Sequence, residues 1–260
     1  MKFKLSLLCA FFAAILISCS GSKEPSALIA HADRLNGELG AIAEESPMFL
    51  DSATVNYADG TLAVNIAFAD TFFTASEFTD ALVQYTLAQY MKSHTGANLD
   101  EVVNTISKEE GKMAITLIDR KGGSKTFDVP AARLRQLVKL KPMELNYNDA
   151  RANVLEIMED RDDAFELAAN AEDVSFEVAN GFAQYTFTFP NANGYARLKQ
   201  AQLTGRCLNA VKPIYDNYGA CRTMVEDLLK SFKIDGYRFV YENNRDKYTL
   251  KASVPWRTIN

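Results

Sequence analysis

Residues 53–68 read ATVNYADGTLAVNIAF and residues 174–189 read VSFEVANGFAQYTFTF, and these two stretches decide the fold. Each is an alternating run, a two-residue turn signal and a second alternating run. Alternation of apolar and polar residues marks a strand with one buried face. Asp59-Gly60 and Asn180-Gly181 are favoured type I′ dipeptides, because both central residues of that turn need positive φ. At an offset of 121, Gly60 falls on Gly181, and Val64, Ile66 and Phe68 fall on Tyr185, Phe187 and Phe189. The repeat therefore preserves one sheet face.

The order of signals beyond each hairpin also recurs. In the first half a helix is expected from Ser76 to about Ser93, with Leu82, Val83, Leu87 and Met91 on its apolar stripe, and a second from about 99 to 110. Strands over 114–118 and 125–129 follow, joined by Gly122-Gly123 and closed by Val129-Pro130. In the second half helices are expected over 194–211 and 221–232, with a break from Pro213 to Gly219. Strands over 237–241 and 248–254 then end on Val254-Pro255. Each half reads β-β-α-α-β-β, so the expected fold is α+β: two related modules, each an antiparallel sheet covered by helices. A helical linker over 141–170 joins a first module of residues 26–140, which opens with a helix over 26–44, to a second module of residues 171–260.

The N-terminus has a different character. Lys2 and Lys4 precede an apolar run from Leu5 to Ile17 that only Ser6 interrupts. Such a run falls short of the roughly 18–20 residues that cross a bilayer, and its flanks suit a cleaved export signal. Leu16-Ile17-Ser18-Cys19 resembles the bacterial lipobox, in which a small residue precedes a cysteine that is acylated and becomes the mature N-terminus. That resemblance covers residues 1–19 and implies a signal peptide over 1–18, palmitate-type lipid on Cys19 and a tether over 19–25. More than one acyl chain on such a cysteine would give stable membrane anchoring. Similarity to Gram-negative lipoproteins with Ser after the modified cysteine implies the outer membrane.

Charge and cysteine usage narrow the rest. Loss of the leader removes Lys2 and Lys4, leaving 26 basic against 33 acidic residues, a net charge near −7. No basic patch stands out, so nucleic acid is not an expected partner. Of four cysteines, Cys9 lies in the leader and Cys19 is the lipid acceptor. Cys207 and Cys221 are left, and an oxidising compartment favours a disulfide between them, of about 3 kcal/mol on a chain-entropy estimate. Two buried thiols on helices are the competing reading.

Catalytic and metal signals are thin. His31 and His94 are the only histidines, and neither stands near a cysteine or in a metal-binding spacing. They read as surface or capping residues. No GxSxG elbow or phosphate loop is present, and no cofactor or metal is expected. The acidic run Glu156, Glu159, Asp160, Asp162, Asp163 and Glu166 lacks a calcium-loop order and reads as a solvated helix face. Aromatic residues gather near the C-terminus, where Tyr237, Tyr241 and Trp256 are candidates for a ligand surface, although core packing is the commoner use of such side chains. The functional expectation is a lipid-anchored binding or scaffolding protein of the cell envelope, with an envelope protein or glycan as partner. The alternative is a hydrolase acting on an envelope polymer through paired carboxylates.

Overall fold

The computed structural model of the chain describes residues 26–69, 74–93, 97–108, 110–141, 144–160, 171–189, 200–216, 218–243 and 248–259. They form two compact units, the first running to Val154 and including Tyr218–Val225, the second comprising Leu155–Asn217 and Glu226–Asn260. Each unit contains one four-stranded sheet, as the repeated α+β pattern requires.

In the first unit, α1 (Ser26–Glu44) precedes the hairpin β1 (Leu50–Ala58) and β2 (Thr61–Phe68). Helices α2 (Asp80–Ser93) and α3 (Ala97–Lys108) follow, then β3 (Lys112–Ile118), β4 (Ser124–Pro130), α4 (Ala131–Lys139) and α5 (Tyr147–Glu159), of which the part to Val154 belongs to this unit. The sheet order is β1-β2-β3-β4. Val55, Val64, Ile66, Ile115, Leu117 and Phe127 are buried on one face, while their neighbours along each strand look outward. Helix α4 packs against α2, α3 and β4, and α1 lies along β1. The Asn36 side chain on α1 accepts a hydrogen bond from Val55 N–H, which occupies part of an edge that would otherwise be open.

The second unit repeats this with β5 (Asp173–Ala179), β6 (Phe182–Phe189), α6 (Gln200–Asp216), α7 (Arg222–Ser231, of which the part from Glu226 belongs to this unit), β7 (Gly236–Asn243) and β8 (Tyr248–Pro255). Its order is β5-β6-β7-β8, and α6 packs against β8. Helix α6 continues across Pro213 to Asp216, so the expected break shrinks to the short 3-10 turn Gly219–Cys221. Residues 194–199 and the end of the expected helical linker, 161–170, lie outside the described residues.

Neither sheet is wholly antiparallel, contrary to the expectation from alternation. The hairpins are antiparallel, but β2 pairs parallel with β3 and β6 parallel with β7. Two helices between hairpins return the chain to the end where β2 and β6 began, and a strand starting there must run parallel to its neighbour. Mixed sheets with one solvated face still alternate, so the pattern alone did not separate the two cases.

Corresponding details recur between the units. Ala58 pairs with Thr61 and Ala179 with Phe182 around turns whose residues all have positive φ: Asp59 50°, Gly60 72°, Asn180 51° and Gly181 76°. The Gly60 carbonyl accepts from Lys112 N–H at 3.0 Å, and the Gly181 carbonyl from Asp235 N–H at 2.6 Å. Ala131 N–H donates to the Gly111 carbonyl and Trp256 N–H to the Asp235 carbonyl, both at 3.1 Å, immediately after the repeated Val-Pro. The second helix of each pair ends alike. Gly111 N–H returns to Ile106 O and Glu110 N–H to Ser107 O, while Ile234 N–H returns to Leu229 O and Lys233 N–H to Lys230 O. This is the Schellman pattern, with Glu110 (φ 51°) and Lys233 (φ 62°) in the left-handed position that glycine usually fills.

A side chain in that position costs roughly 1–2 kcal/mol relative to glycine. Glu110→Gly and Lys233→Gly should therefore each raise the midpoint of thermal unfolding, by an amount corresponding to about 0.5–1 kcal/mol after the entropy of the freer glycine is counted. Circular-dichroism melts of the two variants check this, and a lower midpoint in both would contradict the cap geometry.

Candidate functional site

The aromatic candidates occupy the core of the second unit. Tyr237 is 3 % exposed and Trp256 2 %, which removes both from a ligand surface. Their rings meet edge to face with centroids 4.9 Å apart, and Trp256 Nε1–H donates to the Ile234 carbonyl at 2.8 Å. Tyr241 is half-buried and stacks on Phe187 at 5.0 Å and on Phe189 at 6.1 Å. Parity explains the correction: Tyr237, Phe239 and Tyr241 alternate on the strand face that carries the buried aromatics of β6.

The expected disulfide is not formed, because Cys207 and Cys221 are both free and buried. Each thiol has its own polar neighbour. Cys207 on α6 lies 3.9 Å from the Tyr241 hydroxyl. Cys221 lies 3.7 Å from the Ser46 hydroxyl, which itself donates to the Tyr218 carbonyl at 3.1 Å. Burial pushes the Cys221 thiol up to about 11 against the opposing Ser46 contact. Burial likewise raises Cys207, against a smaller effect of Tyr241. Raised pKa values keep both as thiols, the reverse of what a nucleophilic cysteine needs.

Two polar clusters in the first unit escaped the sequence reading. Asp119, at the end of β3, accepts from Lys121 N–H and Gly123 N–H, both at 2.9 Å, and from Ala75 N–H at 3.1 Å. Burial pushes its pKa up, but these three bonds and the nearby Lys121 charge outweigh it and leave the carboxyl below its usual value. A general acid in a glycosidase needs the opposite shift. Asp119 is thus a structural acceptor that ties the 3-10 turn Ala75–Glu77 to the β3–β4 turn. Its signal was available as an Asp three residues before Gly122-Gly123, a side chain placed to cap its own turn.

Asn153 on α5 is the second cluster. Its Oδ1 accepts from Thr79 N–H and Thr79 Oγ1, both at 3.0 Å, and its Nδ2 donates to the Glu77 carbonyl at 2.8 Å. Thr79 Oγ1 is in turn an acceptor for Leu82 N–H at 3.3 Å, capping α2. Asn153 shares an apolar stripe with Ala150, Val154 and Ile157, which marked it as a buried polar residue in need of partners.

The remaining feature is the uncovered face of the first sheet. Thr54, Asn65, Thr116 and Thr126 stand in one row across all four strands. Asn65 Nδ2 donates to Thr54 Oγ1 at 3.4 Å, and the Thr116 and Thr126 hydroxyls are 2.9 Å apart. Ala63, Ala67, Ala114 and Ile118 flank the row, and all are half-buried. Lys112 and Asp128 on this face pair with each other at 2.7 Å.

Cys19 and His94 lie outside the described residues, and of the acidic run Glu156, Glu159 and Asp160 are exposed, as a solvated face requires, while 162–166 lie outside. Among the described residues no group of three or more His, Cys, Asp or Glu side chains is placed to hold a metal ion, and no helix is long and apolar enough to cross a membrane. No known protein family, curated protein or solved structure matches the chain.

Asp119 and the thiols give two checks. The folded pKa of Asp119 lies below its unfolded value of roughly 3.9, so its contribution is full above that value and is lost as pH falls through the folded pKa. Asp119→Asn should lower the melting temperature at neutral pH, with the gap to the parent protein narrowing as both are taken below about pH 4; a gap independent of pH would refute this role. Unreduced protein carrying Cys19→Ser should be alkylated at both Cys207 and Cys221 once unfolded, and only slowly while native. Protection of both sites in denaturant would restore the disulfide.

Proposed function

We propose that this chain is a lipoprotein of the bacterial cell envelope, anchored through acylated Cys19 and acting by binding a partner in the envelope rather than by catalysis. The observation that carries the reading is the leader: Lys2 and Lys4, the apolar run to Ile17, and Leu16-Ile17-Ser18-Cys19. A run of that length suits export and cleavage, and a cysteine at the cleavage position suits lipid attachment. The mature chain's net negative charge gives no attraction to an anionic leaflet, so lipid supplies the anchor. Ser20 after the acylated cysteine favours the outer membrane of a Gram-negative cell, and the tether over 19–25 keeps the folded units close to it.

Binding is favoured over hydrolysis by the roles of the enclosed polar groups. Asp119 is held as an anion by backbone donors, and buried Glu226 pairs with Lys230 at 2.9 Å. Both carboxylates have structural partners, and the open outer face of the first sheet is a surface suited to contact.

Metabolic labelling tests the anchor. A Gram-negative host expressing the full chain and fed an alkyne-bearing fatty acid should incorporate label into this protein and retain it in the membrane fraction. Cys19→Ser should abolish both. Unlabelled parent protein released as a soluble species would overturn the proposal.

A further inference from the structure

We infer that α1 is a releasable strap on the first sheet: it is hinged at the Ser46 turn and leaves the edge of β1 while the rest of the unit stays folded. The strap goes beyond the anchoring proposed above and needs no lipid on Cys19.

The helix has little stability of its own. Gly37 and Gly40 stand in its interior, where each glycine lowers helix formation about four- to fivefold relative to alanine. Packing does not call for them, since a Cβ built on either would meet nothing within 4 Å. The first turn has no acidic side chain and the last no basic one. Glu44 ends the helix and Glu45 follows, both exposed at the negative end of its dipole. Of the side chains described on α1, Ala32, Leu39 and Ala43 are buried and Ile42 is half-buried, so little apolar surface holds it down. Helix α2 is the contrast within the same unit. It has no glycine, carries Asp80 in its first turn, takes a cap from Thr79 Oγ1 and buries Leu82, Val83, Tyr85 and Leu87.

The turn after α1 is pinned. Phe49 N–H and Leu50 N–H both donate to the Ser46 carbonyl at 2.9 Å. Buried Ser46 Oγ donates to the Tyr218 carbonyl at 3.1 Å, and the Phe49 and Tyr218 rings meet edge to face at 4.9 Å. Gly219, with φ at 51°, comes so close that a Cβ there would collide with the Glu45 carbonyl oxygen. A weakly formed helix thus ends on a fixed point, which is the construction of a hinge.

What α1 holds back is a strand edge. It lies along β1, and Asn36 Oδ1 accepts from Val55 N–H. That group therefore points away from β2, and by alternation the N–H and C=O groups of Ala53 and Tyr57 do the same. When α1 lifts, these groups are bared, and a bare strand edge is a template for an extended peptide. Closed, α1 is an autoinhibitory contact on β1; open, it frees the edge for an extended segment of a partner.

Amide hydrogen exchange of protein carrying Cys19→Ser tests the strap. The amides of residues 32–44 and that of Val55 should show similar protection, about a hundredfold or more below that of the β2–β3 ladder. Gly37→Ala combined with Gly40→Ala fills open space and leaves the fold intact. It should raise the protection of α1 and of Val55 alike, by about twentyfold. The response of Val55, on another element, separates release of the whole strap from fraying within the helix. Protection of α1 equal to that of the β2–β3 ladder overturns the proposal, as does a Val55 amide that the two alanines leave unchanged. Because the protein tested carries no lipid, failure here leaves the labelling result at Cys19 standing.

Discussion

The pairing of each hairpin's inner strand with the inner strand of the next hairpin holds each unit together. A parallel pair cannot be closed by a tight turn, so β2 and β3, and likewise β6 and β7, meet only after a helical crossover has been completed. Everything local serves that return. The two-residue turn at Gly60 leaves its carbonyl aimed at Lys112, and that at Gly181 leaves its carbonyl aimed at Asp235, so each crossover is fastened as it enters the sheet. Glu110 and Lys233 accept a left-handed backbone because the chain must reverse out of a helix at that point and start a strand at once.

Much of this architecture was legible, for physical reasons. Asp59-Gly60 and Asn180-Gly181 name a turn type, and period-2 burial names a strand face. The pairing direction was not legible, because alternation reports one buried face and carries no information about the neighbour's direction. Tyr237, Tyr241 and Trp256 looked available as an exposed cluster when counted by type, yet the parity of Tyr237 and Tyr241 with Phe239 already placed them inward. Cys207 and Cys221 looked like a pair in an exported chain, but a spacing in sequence does not bring two sulfur atoms within bonding distance. Nothing in the types Glu and Lys announces a left-handed cap; only the completed reversal requires it.

The two units also show where a shared fold leaves freedom. Asp235 alone performs the two backbone roles that Gly111 and Lys112 divide between them, donating to the turn carbonyl and accepting from the residue after Val-Pro. The inner faces differ as well, with aliphatic Val64, Ile66 and Leu117 in one sheet and aromatic Tyr185, Phe187 and Phe239 in the other. Outer faces are less constrained by folding than the buried ones, since much of each stays at least partly exposed. They differ accordingly, with Glu177, Arg238, Glu242 and Lys251 on one and Thr54, Asn65, Thr116 and Thr126 on the other.

Native-state hydrogen exchange read amide by amide tests the central role of the parallel pairs most directly. Amides bonded between β2 and β3 and between β6 and β7 should exchange last in their units, at the free energy of full unfolding, after those of β1 and the outer edges of β4 and β8 have opened. A β2–β3 or β6–β7 ladder that exchanges while its flanking hairpins stay protected would contradict the account.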